Sequence, residues 1–285
     1  MRLLIFGYGF SSRATALALP GGWSVRATTR NPAKFGVMER DGVTPLLFPG
    51  SDMTGHIEWA SHVLISAGPQ NGRDPVLAEL RTAFAAARHL KWVGYLSTTG
   101  VYGDHGGGWV TEETPLKAST KRGQARIDAE AEWMALHRDL GLPVHLFRLA
   151  GIYGPGRGPF AKVRNGTARR IIKEGQVFSR IHVEDIAQTV LASINRPNPG
   201  AAYNVCDDDP APPQDVIAHA AELLGLPVPP AIAFEDADMT PMARSFYAES
   251  KRVDNARIKE ELGVQLRYSD YRVGLADLLS SEAKS

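Results

Sequence analysis

The sequence predicts an α/β fold in which a doubly wound parallel sheet carries a small C-terminal lobe. Through residues 1–156, short apolar runs alternate with helical segments. Continuous apolar runs are typical of parallel strands that helices cover on both faces. A glycine-rich turn joins the first run to the first helix, and the alternation breaks down after residue 156. We therefore assign 1–156 with 182–206 to the sheet domain, and 157–181 with 207–285 to the lobe.

The individual elements are predicted from apolar runs, helical periodicity and flanking turn residues. The predicted strands cover residues 3–6, 23–30, 43–48, 62–66, 92–97, 144–149 and 202–206. Helices are predicted at 13–19, 74–89, 118–140 and 214–224, and a closing segment at 271–279. Residues 227–250 have no clear periodicity and are expected to be rich in loops.

Composition narrows the class of protein. Of 285 residues, 44% are hydrophobic, and the formal net charge is +1. A charge so close to zero provides no bulk attraction to nucleic acid or to a membrane, so neither partner is expected. The single cysteine, Cys206, excludes an internal disulfide framework and indicates a reducing compartment. Because no apolar run is long enough to cross a bilayer, we expect a cytoplasmic protein.

The turn after the first strand predicts a phosphate site. It reads GYGFSS and comprises Gly7, Tyr8, Gly9, Phe10, Ser11 and Ser12. Gly7 suits a tight turn, and Gly9 lets a pyrophosphate approach the backbone. Phe10 and Ser11 lead into a helix whose free N–H groups can bind phosphate, and Ser12 is small enough for that helix to pack on the strand. The alternative is a mere tight turn, but its place between a strand and a helix favours dinucleotide binding.

The end of the second strand indicates which dinucleotide would bind. An NAD site usually places Asp or Glu there, to accept from the ribose 2′-hydroxyl. This chain instead has Thr28, Thr29 and Arg30. A guanidinium suits a 2′-phosphate, so we predict NADP, with NAD as the alternative, and Thr29 and Arg30 as contacts. The other interpretation is that Arg30 merely starts the next helix, near Asn31 and Pro32.

Residues 97–130 carry a spaced motif in three parts. Ser97 to Gly103 reads STTGVYG, then come Glu112, Glu113 and Pro115, and then Gly123, Ala129 and Glu130. These residues resemble the extended short-chain dehydrogenase/reductase family, the NAD(P)-dependent epimerases and dehydratases. The pattern there is S-[ST]-x-x-V-Y-G, E-x-x-P and Y-G-x-S-K-x-x-A-E. The resemblance implies an NAD(P)-binding Rossmann fold and a small-molecule substrate.

The register of this motif assigns the catalytic positions. Thr98 takes the place of the family's catalytic Ser or Thr, whereas Arg122 and Arg126 take the places of its catalytic Tyr and Lys. A guanidinium keeps its charge and only donates hydrogen bonds, so Arg122 could polarise a carbonyl but could not deliver a proton. Arg126 could still bond the nicotinamide ribose. The alternative is that both are ordinary surface arginines, four apart on one helix face.

Without the Tyr, another group has to supply the proton. By motif position the candidates are Tyr102, Tyr153 and His182. Tyr102 ranks first because it shares a strand end with Thr98. Arg148, at the start of the segment before Tyr153, is expected to be structural.

Further segments extend the resemblance. Ala67 and Gly68 resemble the family's loop that packs on the adenine ribose. Gly151 belongs to a segment resembling the family's R-x-x-[NG]-[IV]-Y-G-P, whose backbone lies against the nicotinamide. Residues 251–263 resemble the family's C-terminal helix.

The lobe begins with a basic stretch that is either a solvated face or a pocket for an anionic substrate. Its cationic residues are Arg157, Lys162, Arg164, Arg169, Arg170, Lys173 and Arg180. In the family's R-x-x-I-H-V-x-D-x-A signature, the Arg that grips the diphosphate in sugar epimerases corresponds to Phe178. Because Phe178 occupies this place, we expect nucleotide-diphosphate sugars to bind poorly. The alternative is that Arg180, two positions later, takes over the grip. His182 and Asp185, from the same signature, are expected to hold the lobes together.

Three interpretations of function stay open. The first is an NADP-dependent reductase or epimerase with an altered catalytic pair. The second is a dinucleotide-binding redox sensor or regulatory protein without turnover. The third, a structural protein that uses only the fold, is disfavoured by the preserved phosphate turn. Fold alone does not decide among them, and a homodimer is also left open.

Overall fold

The computed structural model describes residues 1–282. Its strands are β1 (Arg2–Phe6), β2 (Ser24–Thr29), β3 (Val43–Leu47), β4 (His62–Ile65), β5 (Trp92–Thr98), β6 (Trp109–Val110), β7 (Val144–Leu149), β8 (Gly151–Tyr153), β9 (Arg170–Ile172), β10 (Arg180–His182), β11 (Ala202–Val205), β12 (Ala231–Ala233) and β13 (Arg252–Val253). Its helices are α1 (Phe10–Leu17), α2 (Phe35–Arg40), α3 (Thr54–Trp59), α4 (Pro75–Ala86), α5 (Lys121–Leu140), α6 (Phe160–Arg164), α7 (Val183–Asn195), α8 (Pro213–Leu223), α9 (Pro241–Phe246), α10 (Ala256–Glu260) and α11 (Tyr271–Glu282).

The central feature is a seven-stranded sheet with the order β11-β7-β5-β4-β1-β2-β3. Every neighbouring pair in it is parallel. The chain runs outward from β1 to β3 and then returns to add β4 on the other side of β1, which places a topological switch point between β1 and β4. This is the Rossmann order, in which ligands bind outside the carboxyl ends of the strands. The predicted doubly wound sheet is confirmed.

The central strands β1, β4, β5 and β7 are buried along almost their whole length. In β1, Leu3 and Ile5 belong to one hydrophobic cluster, and Leu4 and Phe6 belong to the cluster on the opposite face. All four are fully buried. The side chains of a strand alternate between faces, so a continuous apolar run serves both helical layers. Full burial of each such side chain contributes about 1.5–3 kcal/mol.

The C-terminal lobe has its own hydrophobic cluster. Phe160 of α6, Val216 of α8 and Leu275 of α11 pack there with Tyr153. Tyr153 lies on the sheet-domain side of the expected boundary, so this cluster draws from both sides of it. The lobe boundaries stay a prediction, and residues 283–285 of the predicted lobe lie outside the described part of the chain.

The predicted strands all occur, but the lobe differs from expectation. Residues 251–263 were expected to be one helix, and instead form the short strand β13 followed by α10. Strand β13 pairs with β6, and β12, inside the expected loop region, pairs with β9. These strands exist only because a distant segment lies beside them, so local periodicity could not reveal them. No helix within residues 1–282 has the length and apolar character needed to span a membrane.

Candidate active site

The turn after β1 is built by close approach of two loops. Gly7 has φ +91°, and a Cβ added to it would lie 2.9 Å from the backbone N of Ala67. Both facts exclude a larger residue, because φ in this range favours glycine and the contact is with backbone. The Gly7 N–H also donates to Thr28 Oγ1 at 2.9 Å. Gly7 therefore holds together the carboxyl ends of β1, β2 and β4.

Ser12 closes this turn with its side chain. Its hydroxyl accepts from the Gly9 N–H at 2.8 Å and donates to the Gly7 carbonyl at 2.7 Å. The side chain is fully buried beneath the turn. Ser12 thus replaces the usual third glycine and adds a hydrogen-bonded clamp.

The turn fits the pyrophosphate of a dinucleotide. A Cβ added to Gly9 would meet nothing within 4 Å, so the space beside its backbone is open. Helix α1 begins at Phe10, and the N–H groups of a first helical turn, here including Ser11, have no partners within the helix. They carry the positive end of the helix dipole and suit an anion.

At the end of β2, the side chains of Thr29 and Arg30 differ in how accessible they are to a ligand. Thr29 is buried, and its hydroxyl accepts from the Asn31 N–H at 3.2 Å. Asn31 caps a short 3₁₀ turn that starts at Pro32. Arg30 precedes this cap and is exposed, and its side chain has no hydrogen bond or ion pair to any residue from 1 to 282. The position leaves the guanidinium available to an anionic ligand.

Arg126 links helix α5 to the sheet. Its Nη1 donates to the Leu96 carbonyl at 2.7 Å and to the Tyr95 hydroxyl at 3.1 Å. A Cβ added to Gly68 would lie 2.6 Å from Nη2 of Arg126. The guanidinium therefore sits directly against the loop of Ala67 and Gly68 and is partly engaged by the protein itself.

Thr98 and Arg122 are brought to the same edge by a close helix contact. A Cβ added to Gly123 would lie 2.9 Å from the Gly100 carbonyl, so α5 presses against the turn that follows β5. Thr98 begins that turn, is partly exposed, and accepts from the Gly100 N–H at 3.2 Å. Arg122, next to Gly123, is exposed and free of hydrogen bonds and ion pairs in the described chain.

Tyr102 is part of the buried core of the protein. Its side chain is fully buried, and its hydroxyl donates to Asn204 Oδ1 at 2.7 Å and accepts from Arg148 Nη1 at 2.9 Å. Burial raises the pKa of Tyr102 to about 12. This geometry argues against the proton-donor role that the sequence suggested, because the hydroxyl cannot reach a ligand.

The motif residues around Tyr102 form one buried network. Arg148 Nη2 lies 2.9 Å from Glu130 Oε2, and both side chains are buried. The Ser97 hydroxyl donates to the other Glu130 oxygen at 2.5 Å. Glu112 accepts from the Asn204 N–H at 2.7 Å, which ties the loop after β5 to β11. The structural role expected for Arg148 is therefore what the structure has.

The other two donor candidates are also buried. Tyr153 donates to the Asp270 carbonyl at 3.4 Å, and burial raises its pKa. His182 is fully buried, and its Nδ1 accepts from the Glu184 N–H at 3.3 Å. Burial lowers the pKa of His182 to about 4, so the ring is neutral and caps α7. His182 is therefore not presented to a ligand as a proton donor, and the raised pKa of Tyr153 disfavours that role for its hydroxyl.

Asp185 connects the two parts of the chain as expected. Its carboxylate accepts from the N–H groups of Arg267 at 2.8 Å and Tyr268 at 3.0 Å. These backbone groups lie just before α11, so one buried carboxylate anchors the C-terminal segment to α7. Among residues 1–282, no group of three or more His, Cys, Asp or Glu side chains could hold a metal ion.

A cavity of about 350 Å³ lies where the lobe meets the carboxyl edge of the sheet. Residues that line it include Gly151, Tyr153, Arg157, Arg180, Phe246 and Tyr271. Gly151, the predicted nicotinamide contact, therefore forms part of its wall. Sequence reasoning missed Phe246 and Tyr271, because α9 and α11 reach the cavity only through the tertiary fold.

The basic stretch divides between this cavity and the lobe's own backbone. Arg157 and Arg180 line the cavity. In contrast, Arg170 donates to the Pro229 carbonyl at 3.1 Å, and Lys173 donates to the Tyr247 carbonyl. The pocket for an anionic substrate therefore stays a prediction for Arg157 and Arg180, whereas Arg169, Arg170 and Lys173 donate to carbonyls of loops.

Known proteins resemble this chain in sequence and in structure. Residues 74–206 match the NAD dependent epimerase/dehydratase family. Protein YeeZ of Escherichia coli (strain K12) is 32% identical over 189 residues, which are 65% of this chain and 62% of YeeZ. A 3-diazoavenalumate denitrifying reductase from Streptomyces sp is 30% identical over 164 residues, 53% of this chain and 51% of that protein. The chain thus spans less than two thirds of the length of these relatives.

The similarity to one solved structure covers the whole fold. A functionally unknown conserved protein from Silicibacter pomeroyi DSS is 57% identical, with a TM-score of 0.92 over 100% of this chain and 99% of that chain. The match to the NAD dependent epimerase/dehydratase family thus covers residues 74–206, a little under half of this chain. Epimerase/dehydratase proteins use a nicotinamide dinucleotide, and the open backbone beside Gly9 at the switch point suits that cofactor class.

Within this fold, several of the predicted cofactor residues lie close to one another. Gly7 touches the Ala67 loop, and Gly68 touches Arg126. A Cβ added to Gly154, just beyond β8, would lie 3.2 Å from the ring of Phe10. Segments far apart in sequence are therefore neighbours around the phosphate turn.

Proposed function

We propose that this protein is an NADP-dependent reductase or epimerase in which Arg122 and Arg126 stand in the places of the family's Tyr and Lys. The observation that carries this proposal is the intact phosphate turn at residues 7–12, open beside Gly9 and next to a ligand-sized cavity. A fold kept only for structure would not need that opening.

Several residues would hold the dinucleotide. Gly9, Phe10 and Ser11 would bind the pyrophosphate through their backbone, and Gly151 would adjoin the nicotinamide. Arg30 would bind the 2′-phosphate that distinguishes NADP from NAD, which supports NADP as the preferred cofactor. When bound, the dinucleotide supplies or accepts hydride.

The chain's own residues would orient and polarise the substrate. Thr98 presents a partly exposed hydroxyl, which can donate to a substrate oxygen. The Arg122 guanidinium stays charged and would stabilise negative charge that develops on the same oxygen. Because neither group is a general acid and Tyr102 is buried, the proton would come from solvent water at this open edge.

The reductase from Streptomyces supports this choice. Its name describes reduction of 3-diazoavenalumate, which is not a nucleotide sugar. A reductase of this kind agrees with Phe178 standing where sugar epimerases have their diphosphate-gripping Arg. The alternative is a dinucleotide-binding sensor without turnover, and the burial of Tyr102, Tyr153 and His182 favours it.

An activity series tests the proposal against this alternative. NADPH oxidation is followed with a broad panel of aldehydes, ketones and keto-sugars. For a substrate that turns over, Arg122→Gln should lower kcat/KM by about 10²-fold, as loss of one charge-stabilising donor does. Thr98→Ala should act in the same direction. Tyr102→Phe should keep the catalytic rate, because its hydroxyl is buried.

Lys121→Gln is the matched control, since Lys121 is exposed beside Arg122 at the start of the same helix. It should leave the rate unchanged. If Tyr102→Phe abolished turnover in a folded protein while Arg122→Gln did not, the donor would be Tyr102 after all. Tight NADP binding without oxidation of any compound in the panel would favour the sensor.

A further inference from the structure

The cavity beside Gly151 has walls of two kinds. Ile152, Phe178, Val216 and Leu275 give it apolar surface. Tyr271 and Phe246 add aromatic faces, and Phe246 is 56% exposed at the rim. Apolar walls with few polar groups are typical of sites for small organic ligands, and about 350 Å³ is near the lower end of their volumes.

Arg180 places a cation in this apolar wall. Its Nη1 donates to the carbonyls of Phe178 and Ala211, both at 2.9 Å, which holds the guanidinium in position. Its remaining N–H groups have no acceptor among residues 1–282. The planar guanidinium also lies 6.0 Å from the ring centre of Tyr271. A preorganised guanidinium with donors to spare is suited to a carboxylate.

The nearby carboxyl group does not cancel this charge. Asp207 is buried, and neither of its side-chain oxygens has a hydrogen-bond partner in the described chain. Burial raises the pKa of Asp207 to about 8, although Arg180 acts in the opposite direction. Burial thus favours the uncharged form of the Asp207 carboxyl, while burial also lowers the pKa of Arg180.

Arg157 supplies a second cation at the open side. It is exposed, lines the cavity, and lies 5.6 Å above the ring of Phe10 in the phosphate turn. The cavity therefore runs from Arg180 in the lobe toward the predicted cofactor edge at Gly151 and Phe10. A ligand held by Arg180 would extend toward that edge.

We propose that this cavity binds a small organic acid with an apolar or aromatic body, its carboxylate held by Arg180 and Arg157 and its body packed against Tyr271 and Phe246. The claim that this acid is the substrate rests on the proposed function, because only then does its far end react beside Gly151. A nucleoside diphosphate sugar, with a base, two sugars and two phosphates, exceeds the cavity.

Direct binding tests this assignment without any reaction. Benzoate and 4-hydroxycinnamate are titrated by calorimetry into the whole protein, with benzamide and UDP-glucose as comparison ligands. The carboxylates should bind at least about tenfold more tightly than benzamide, since a charge-assisted contact is lost in the amide. UDP-glucose should not compete with benzoate.

Three variants report on different parts of the cavity. Arg180→Met should remove the preference for benzoate over benzamide, and the exposed Arg157→Gln should reduce it. Phe246→Ala should weaken benzoate and benzamide alike, because it touches only the body. Arg164→Gln is the matched control, since Arg164 pairs with Glu282 on the surface of the lobe and should not affect binding. If Arg180→Met fails to fold, Arg157→Gln and Phe246→Ala still test whether the cavity binds the carboxylate and the body of the ligand.

Equal binding of benzoate and benzamide, or no binding of either carboxylate at millimolar concentration, would overturn the assignment. Displacement of benzoate by UDP-glucose would do so as well. NADP binding is titrated separately in the same preparations. Binding of benzoate without binding of NADP or NAD would refute the proposed function but leave the acid-binding cavity in place. Binding of NADP or NAD without binding of benzoate would refute only the acid-binding cavity.

Discussion

The two parts of this molecule satisfy their polar groups in opposite ways. In the sheet domain, the ladder between parallel strands bonds the backbone, and buried side chains such as Arg148 and Glu130 pair with each other. In the lobe, Arg170 and Lys173 donate instead to backbone carbonyls of irregular segments. The lobe has little sheet, so long cationic side chains supply the donors that its carbonyls would otherwise lack.

Because of this difference, charged and polar side chains have to be interpreted differently in the sheet domain and in the lobe. A basic residue in the lobe is first of all a donor to a loop, and only those that also face the cavity indicate a ligand. A polar residue in the sheet domain is first of all part of a buried network. Tyr102 illustrates the second case, because a motif position that suggested catalysis is occupied by a core residue.

The largest expected effect compares one buried and one exposed ion pair. Arg148→Met should lower the free energy of unfolding by about 3–5 kcal/mol, because it leaves the Glu130 carboxylate buried without its cation. Arg164→Met breaks the exposed pair with Glu282 and should cost less than about 1 kcal/mol. Urea denaturation of both variants measures the difference. Similar losses in the two would contradict the contrast drawn between sheet domain and lobe.

The phosphate turn allows stability and binding to be separated. Gly7→Ala should lower the free energy of unfolding by about 1–3 kcal/mol, since φ is +91° and the added Cβ meets the Ala67 backbone. Gly9→Ala should unfold like the parent protein, because its Cβ meets nothing. It should nevertheless weaken dinucleotide binding by about tenfold or more, since the methyl group occupies the space for the pyrophosphate. An unchanged affinity of Gly9→Ala for the dinucleotide would contradict binding of the pyrophosphate at this turn.

The cofactor preference should depend on one exposed side chain. NADP should bind more tightly than NAD, and Arg30→Ala should reduce that ratio by about tenfold, through loss of a charge-assisted contact. Fluorescence titration with both dinucleotides measures the ratio. Arg88→Ala, an exposed arginine after α4, is the control and should leave it unchanged. Equal affinity of the parent protein for NADP and NAD would exclude the preference.

A further expected effect is a pH dependence of stability in the lobe. The ordinary pKa of the Asp207 carboxyl is 3.8, and burial raises it to about 8 in the folded chain. Between these values the unfolded chain has lost a proton that the folded chain keeps, so the free energy of unfolding falls as pH rises. Asp207→Asn should remove this slope, and its advantage over the parent should therefore grow from pH 4 to pH 8.

Denaturation at several pH values across this range, with Glu235→Gln as an exposed control, measures the slope. A constant difference between Asp207→Asn and the parent at all pH values would mean that the folded chain does not raise this pKa.

Much of the fold was predictable because its information is local. A parallel strand covered on both faces is largely apolar, and β7, which also includes His145 and Arg148, was predicted with the bounds that it has, Val144–Leu149. The turn at residues 7–12 was predictable for a similar reason, since its backbone conformation requires glycine at Gly7. The cavity was not predictable in its composition, because Phe246 and Tyr271 come from separate helices with no shared local pattern.

By itself, the sequence determined the doubly wound sheet and the turn at residues 7–12, and it predicted the exchange of two catalytic positions for Arg122 and Arg126. Only the tertiary structure decided which side chains are available for chemistry. Burial is a property of everything packed around a residue, and no spacing in the chain records it. Tyr102 and Thr98 stand at one strand end, yet the first is fully buried between Arg148 and Asn204 and the second is partly exposed.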